Sequence, residues 1–207
     1  MPETLNAAEL SALVARVFQP TPEDRLLGIM VDLPDEKVPD DAAWAARRRI
    51  AAWAGWSRDA LCDERRLGDP AVRKELLGQQ SAPVGYQTHL LLYPNVHTNN
   101  GDLPGHCWIH AGGPVPASAA GLDPAAAVPM TEVFDTHPML MAVTKFSSTA
   151  PLKMAARKHP MRAATMPGFT AGMIPALRLD YTEVNRRVDI LKALLDRATG
   201  ASLRTLL

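Results

Sequence analysis

The stretch at residues 139–175, MLMAVTKFSSTAPLKMAARKHPMRAATMPGFTAGMIP, decides the fold class of this chain. It opens with a largely apolar run, 139–146, that has the length of a buried strand. Hydroxyl side chains and a proline follow, which favours a helix because both residue types suit a first helical turn. His159-Pro160 ends that helix, and 161–166 is predicted to be a second strand. This order of elements predicts parallel pairing through a right-handed crossover.

The same pattern continues on both sides of this unit. Further strands are predicted at 26–33, 86–93 and 201–207, and further helices at 5–18, 42–61, 70–77, 129–134 and 181–198. Strands that alternate with helices are typical of a sheet covered on both faces. We therefore expect a Rossmann-like three-layer α/β sandwich with about five mostly parallel strands, in a single domain over residues 1–207.

Charge and composition restrict the classes of protein to consider. The sequence has 22 Lys plus Arg and 22 Asp plus Glu, so its formal net charge is zero. A protein that binds nucleic acid usually shows a basic excess or patch, and this sequence has neither. No apolar run approaches the ~18 residues of a membrane span, and the amino terminus lacks a signal-peptide pattern. We expect a cytoplasmic protein without a nucleic-acid or membrane partner.

The segment 94–129 is predicted to be a long irregular loop, because it is rich in glycine and proline. Such loops in compact domains are often functional or mobile. The segment contains a group of metal-ligand residue types, namely His97, His106, Cys107 and His110. Imidazole and thiolate are zinc ligands, but no CxxC or HExxH pair accompanies them. Ordinary polar loop side chains remain the alternative interpretation.

Four polar residues follow predicted strands, at the edge where parallel sheets bind ligands. Asp32 ends the first strand, Asn95 follows the second, and Ser148 and Thr149 follow the strand that begins at Met139. These four residues are the candidate substrate-facing groups. Plain capping of a turn or of a helix is the alternative role for Asp32, Ser148 and Thr149. No phosphate-binding loop and no GxSxG motif follows any predicted strand.

The carboxy-terminal part of the sequence resembles a known family. Residues 147–205 are similar to the amino-terminal domain of the thermophilic metallopeptidases of the aminopeptidase T group, and also to 2,5-dihydroxypyridine 5,6-dioxygenase. The motifs that carry the resemblance are Ser148-Thr149 at a helix start, Met166-Pro167-Gly168 after a strand, and Asp180-Tyr181 before the long helix. The similarity is weaker over 13–56 and is absent from the loop between these regions.

The resemblance implies an α/β domain that precedes a catalytic domain, whose metal ligands lie beyond Leu207. No metal ligand of the family falls on a residue of this sequence. The first hypothesis is therefore a non-catalytic or truncated scaffold domain that has no cofactor of its own and forms one wall of an active-site cleft. Its expected partners are a carboxy-terminal catalytic domain and a second copy of the chain.

Two other functions stay open. The first is a self-contained enzyme that uses the loop 95–110, with zinc or iron held by His97, His106 and His110 and with Asp32 at a neighbouring strand end. Such an enzyme would be related to aminopeptidase-like hydrolases or to ring-cleaving dioxygenases. The second is a small-molecule binding domain without chemistry, which would use the strand-end loops around Asp32, Asn95 and 147–149.

Overall fold

A sheet of six strands runs through the computed structural model, which describes residues 7–51, 86–111, 114–179, 181–198 and 200. The strands are β1 (Leu26–Leu33), β2 (Gln87–Pro94), β3 (His106–Ile109), β4 (Val128–Pro129), β5 (Met139–Ala142) and β6 (Arg162–Thr165). Their order across the sheet is β4-β3-β2-β1-β5-β6. The neighbours among β2, β1, β5 and β6 pair in parallel. Strands β3 and β4 extend the sheet beyond β2 with antiparallel pairing.

Helices cover both faces of the sheet, which confirms the expected three-layer α/β fold. They are α1 (Ala7–Phe18), α2 (from 42, described to 51), α3 (Met130–Thr136), α4 (Thr149–Ala155), α5 (Ile174–Leu177) and α6 (Tyr181–Leu195). Short 3-10 helices lie at Ala119–Gly121, Pro124–Ala126 and Ala171–Met173. Among the described residues, no helix combines the length and the apolarity that crossing a membrane requires.

The central strand β1 packs against both layers of helices. Its side chains alternate in direction, so Ile29 and Val31 join the core under α1, α2 and α5, whereas Met30 joins the core under α3 and α4. Burial on both faces explains why β1 reads as the nearly continuous apolar run LLGIMVDL. Its predicted bounds, 26–33, are confirmed.

The segment 94–129 is more regular than its glycine and proline content indicated. It contributes β3 and β4 and two of the 3-10 helices, so the sheet has six strands rather than about five. The apolar alternation in β3 covers only four residues, with Cys107 buried between the exposed His106 and the half-buried Trp108, which is too short a pattern to identify a strand. The predicted helix at 70–77, the strand at 201–207 and the end of the helix at 42–61 lie outside the described residues.

The strand that begins at Met139 is shorter than predicted. It ends at Ala142 instead of continuing to Phe146. Val143 still donates to the backbone oxygen of Met30, and the chain then turns away from the sheet, where the backbone N–H groups of Lys145 and Phe146 donate to the carboxylate of Asp32. The parallel pairing of β5 with β6 through α4 is confirmed.

A pair of histidines, one buried and one half-buried, links the sheet to the helix layer. His137 is 2% exposed, and its Nε2 lies 2.9 Å from Nδ1 of His89 on β2. Burial, together with the proximity of His89, lowers the pKa of His137 to about 4. The imidazole of His137 is therefore neutral in the folded protein above about pH 4.

We expect acid to destabilise the fold through His137. In the unfolded chain a histidine has a pKa of about 6.5, so between pH 6.5 and 4 the unfolded state takes up a proton that the folded state excludes. The free energy of unfolding should fall by up to about 3 kcal/mol across this window from this residue alone. Urea titrations of the parent chain and of His137→Gln at several pH values measure the slope.

The variant should lose part of this pH dependence even if it is less stable at pH 7. His106→Gln, which removes a histidine from an exposed position of β3, is the matched control for the substitution itself. Equal slopes for the parent chain and His137→Gln would contradict a neutral buried imidazole.

Candidate functional site

The carboxyl ends of β1 and β5 lie at the point where ligands bind in open α/β sheets. From β1 the chain crosses to β2 on one side, whereas from β5 it crosses to β6 on the other. The crossover helices α2 and α4 pack in different core clusters, on opposite faces of the sheet. The loops that follow β1 and β5 therefore diverge, which makes this edge the topological switch point of the sheet.

Asp32 occupies this switch point and is 1% exposed. Its two carboxylate oxygens accept the backbone N–H groups of Lys145 at 2.8 Å and Phe146 at 3.0 Å, and Nε1 of Trp44 lies 3.2 Å from Oδ1. Burial raises the pKa of Asp32, and these two backbone hydrogen bonds oppose the rise. Asp32 thus holds the loop after β5 in place instead of facing open solvent.

Charged side chains surround this buried carboxylate. Arg47 is 3% exposed, and its buried position lowers its pKa, against the attraction of Asp32 and Asp41. Its Nε and Nη1 have no hydrogen-bond partner within the described part of the chain. Nζ of Lys145 lies 2.5 Å from Oδ2 of Asp41 and 4.8 Å from the centre of the Trp44 ring. Opposite charges therefore balance at the switch point.

Asn95 joins the ends of β1 and β2. Its Nδ2 donates to the backbone oxygen of Leu33 at 2.9 Å, and its Oδ1 accepts the backbone N–H of His97 at 3.0 Å. Asn95 is buried, and His97 has a φ of +60°, in the left-handed region. The side chain of Asn95 therefore fixes a turn that non-glycine residues adopt at a cost.

Of the hydroxyl caps predicted for α4, Ser147 accepts the backbone N–H of Thr149 at 3.4 Å, whereas Ser148 does not cap the helix. Ser148 occupies the N-cap position but makes no capping hydrogen bond, and its buried Oγ has no partner within the described residues. Instead, Oδ1 of Asn100 accepts the backbone N–H of Ala150 and the hydroxyl of Ser147, both at 3.0 Å. Thr149 Oγ1 lies 2.8 Å from Oγ1 of Thr165. An asparagine from the loop after β2 therefore caps a helix that follows β5.

Asn99 and Asn100 connect the loop after β2 to the loop after β5, a role that no sequence motif indicated. Asn99 Oδ1 accepts the backbone N–H of Ser147 at 2.8 Å, and the Asn100 backbone N–H donates to the oxygen of Ser147 at 2.6 Å. Asn100 has a φ of +58°, which asparagine tolerates better than most residues. A turn-forming asparagine pair indicates the backbone conformation, but the pattern carries no information about its contact partner.

An open cavity of about 600 Å³ lies beside the switch point, at the ends of β1 and β2. Its lining residues are Pro34, Asp35, Glu36, Lys37, Pro39, Asp40, His97, Ser118 and Ala120. The backbone N–H of Ala119 donates to the oxygen of Pro34 at 2.8 Å, which holds the segment 118–120 against the end of β1. Of the candidate residues, only His97 lines this cavity.

His97 forms a close pair with Asp35 in the wall of the cavity. Its Nε2 lies 2.6 Å from Oδ2 of Asp35, whose Oδ1 accepts the backbone N–H groups of Lys37 and Val38. Burial acts to raise the pKa of Asp35, but the hydrogen bonds from Val38 and His97 hold it below its ordinary value. The result is an imidazole oriented by an ionised carboxylate, an arrangement that supports general-base chemistry.

The three histidines predicted as metal ligands lie in separate surroundings. His97 contacts Asp35, His106 is exposed on β3, and the backbone N–H of His110 donates to Leu90. Cys107 points into the core, where burial raises the pKa of its thiol to about 11. Among the described residues, no three His, Cys, Asp or Glu side chains assemble as a metal-binding group. The zinc or iron site stays a prediction.

Comparison of the chain with protein-family models, curated proteins and solved structures finds no match. The resemblance to aminopeptidase T and to the dihydroxypyridine dioxygenase therefore stays a prediction from the sequence motifs. The structure establishes a Rossmann-like α/β fold with an internally bonded switch point and an open cavity next to it.

Two substitutions of Asn100 separate its contributions to stability. Asn100→Gly removes the side-chain acceptor but retains the backbone conformation, so we expect a loss of about 1 kcal/mol of unfolding free energy. Asn100→Ala removes the acceptor and also strains the left-handed backbone, which should cost about 1–2 kcal/mol more. Chemical denaturation at pH 7 measures both losses. If the two variants lose the same stability, the left-handed conformation at residue 100 is contradicted.

Proposed function

We propose that this chain is a non-catalytic scaffold domain that forms one wall of the active-site cleft in a metalloenzyme resembling aminopeptidase T or 2,5-dihydroxypyridine 5,6-dioxygenase. The observation that carries the proposal is that the polar side chains at the switch point form hydrogen bonds within the protein. Asp32, Asn95 and Asn100 all bond to backbone groups of neighbouring loops. They stabilise the edge of the sheet, and a second domain would supply the metal and the reacting groups.

A side chain that binds or activates a substrate needs an atom directed at that substrate. Both oxygens of Asp32 and both polar atoms of Asn95 already have protein partners. The hydroxyl of Thr149 lies within hydrogen-bond distance of Thr165 and Ser147. A rigid edge of this kind suits the wall of a cleft, where a fixed surface holds a substrate against groups from the opposite side.

The proposal predicts that the purified chain has no turnover of its own. The full chain is incubated with Zn²⁺, Fe²⁺, Co²⁺ or Mn²⁺ and assayed with leucine p-nitroanilide and with 2,5-dihydroxypyridine. We expect rates equal to those of the metal ions alone, and less than one tenth of an equivalent of metal per chain after desalting.

The matched variants are His106→Ala and His110→Ala. A stoichiometric metal ion that both substitutions remove, with reproducible turnover by the parent chain, would contradict the scaffold proposal. That outcome would establish the self-contained metal-dependent enzyme that uses the loop 95–110.

The open cavity favours a second candidate function, the binding of a small molecule. Its volume of about 600 Å³ lies within the usual range for ligand pockets. Asp35 pairs with His97, and Asp40 pairs with Arg48 through two hydrogen bonds of 2.6 and 2.8 Å. Glu36 and Lys37 also line the cavity, and neither makes an ion pair within the described part of the chain.

One acidic and one basic side chain in the same wall match a small zwitterion. The prolines and alanine of the lining provide apolar surface for its carbon skeleton. We expect free leucine to raise the melting temperature of the chain, and leucinamide and N-acetylleucine, which each lack one charge, to raise it much less. Thermal unfolding at millimolar ligand concentrations makes this comparison.

Lys37→Ala should abolish the shift with leucine, whereas Lys153→Ala on α4, far along the sequence from the cavity lining, should retain it. Equal shifts for the three compounds, or an undiminished shift in Lys37→Ala, would contradict a zwitterion site in this cavity.

A further inference from the structure

Helix α6 exposes an apolar face along its whole length. No described side chain of this helix is buried, and Leu191 and Leu195 are 60% and 62% exposed. The exposed apolar residues of α6 are Tyr181, Val184, Val188, Ile190, Leu191, Leu194 and Leu195. Helices of about 15 residues are marginally stable in water without tertiary packing, and a continuous apolar surface of this kind usually marks an interface.

The first turn of α6 is attached to the domain. The guanidinium of Arg16 on α1 lies 4.5 Å from the centre of the Tyr181 ring, and Nη2 of Arg16 donates to the backbone oxygen of Leu177. Arg178, just before the helix, pairs with Glu9 at 2.8 Å. The helix therefore has a defined starting point on the domain, while its apolar face stays exposed.

The apolar residues of α6 follow a heptad pattern. Residues 181, 184, 188, 191 and 195 are spaced by three and four in alternation, which places them at the a and d positions of a coiled-coil seam. Arg187 and Lys192 flank this seam, at a g and an e position respectively. Each also pairs with an acidic residue of its own helix, Arg187 with Glu183 and Lys192 with Asp196.

We propose that α6 pairs with α6 of a second copy of this chain in an antiparallel arrangement about a two-fold axis. In the register centred between residues 189 and 190, Val184 packs opposite Leu195 of the partner subunit. Val188 then packs opposite the partner's Leu191, and the same two contacts recur beyond the axis. Each of these four layers of the seam therefore joins one valine to one leucine.

The flanking charges determine this orientation. In a parallel pair, Arg187 would face the partner's Lys192 across the seam, because g and e positions of successive heptads meet there. This like-charge contact would occur twice in the dimer. In the antiparallel pair, Arg187 lies beside the partner's Leu194, and Lys192 lies beside the partner's Asn185. The sequence of the helix thus matches itself when one copy is reversed.

The oligomeric state of the full chain tests the interface. Sedimentation equilibrium of the parent chain at micromolar concentrations should show a dimer, and Leu191→Glu should weaken the dimer at least tenfold by placing a carboxylate in the seam. Ala193→Glu is the matched control, because it adds the same group to the opposite side of α6, and it should leave dimerisation unchanged. A parent chain that stays monomeric at all concentrations would overturn the proposal and assign the apolar face to another occupant.

Disulfide formation tests the orientation without relying on a destabilised variant. The double variant Val184→Cys with Leu195→Cys should form a covalently linked dimer under mild oxidation, since these positions meet only in the antiparallel register. Val184→Cys alone should stay unlinked, and the parent chain controls for Cys62 and Cys107. Efficient linkage of the single variant would indicate a parallel pair and overturn the proposal.

Discussion

The structure depends on one carboxylate, that of Asp32. It lies at the end of the central strand and accepts the backbone N–H groups of Lys145 and Phe146 in the loop after β5, so it joins the two halves of the sheet at the point where their connections diverge. A charge in this position is costly to bury, and the backbone N–H groups of Lys145 and Phe146 together with the charge of Arg47 offset part of that cost. An acid that could have served a ligand instead fixes the loop from which α4 begins.

Local patterns predicted the elements that have a buried face. The bounds of β1 and the strand–helix–strand unit from β5 to β6 follow from apolar runs between capping and breaking residues. The short strand β3 was missed because four residues with one buried side chain carry too little periodic signal. The end of β5 was misplaced because the chain there turns away from the sheet toward Asp32, which is distant in sequence.

The candidate site was less accessible to sequence reasoning than the fold. Asp32 and Asn95 were identified from their positions at strand ends, but their hydrogen-bond partners depend on which loops the topology brings together. The pairing of His97 with Asp35 joins residues that lie far apart in sequence and carry no common motif. Spacing motifs recognise residues that lie close together in sequence, and His97 and Asp35 do not.

The strand order has a consequence for folding. The central strand pairs on one edge with β2 and on the other with β5, which comes from the opposite half of the sequence. Such non-local pairing is slow to form, because a long loop must close before the contact is gained. During synthesis β1 therefore emerges long before β5 and retains an open, strongly apolar edge until the second half of the chain arrives. That interval is when this protein is most exposed to misassembly with other nascent chains.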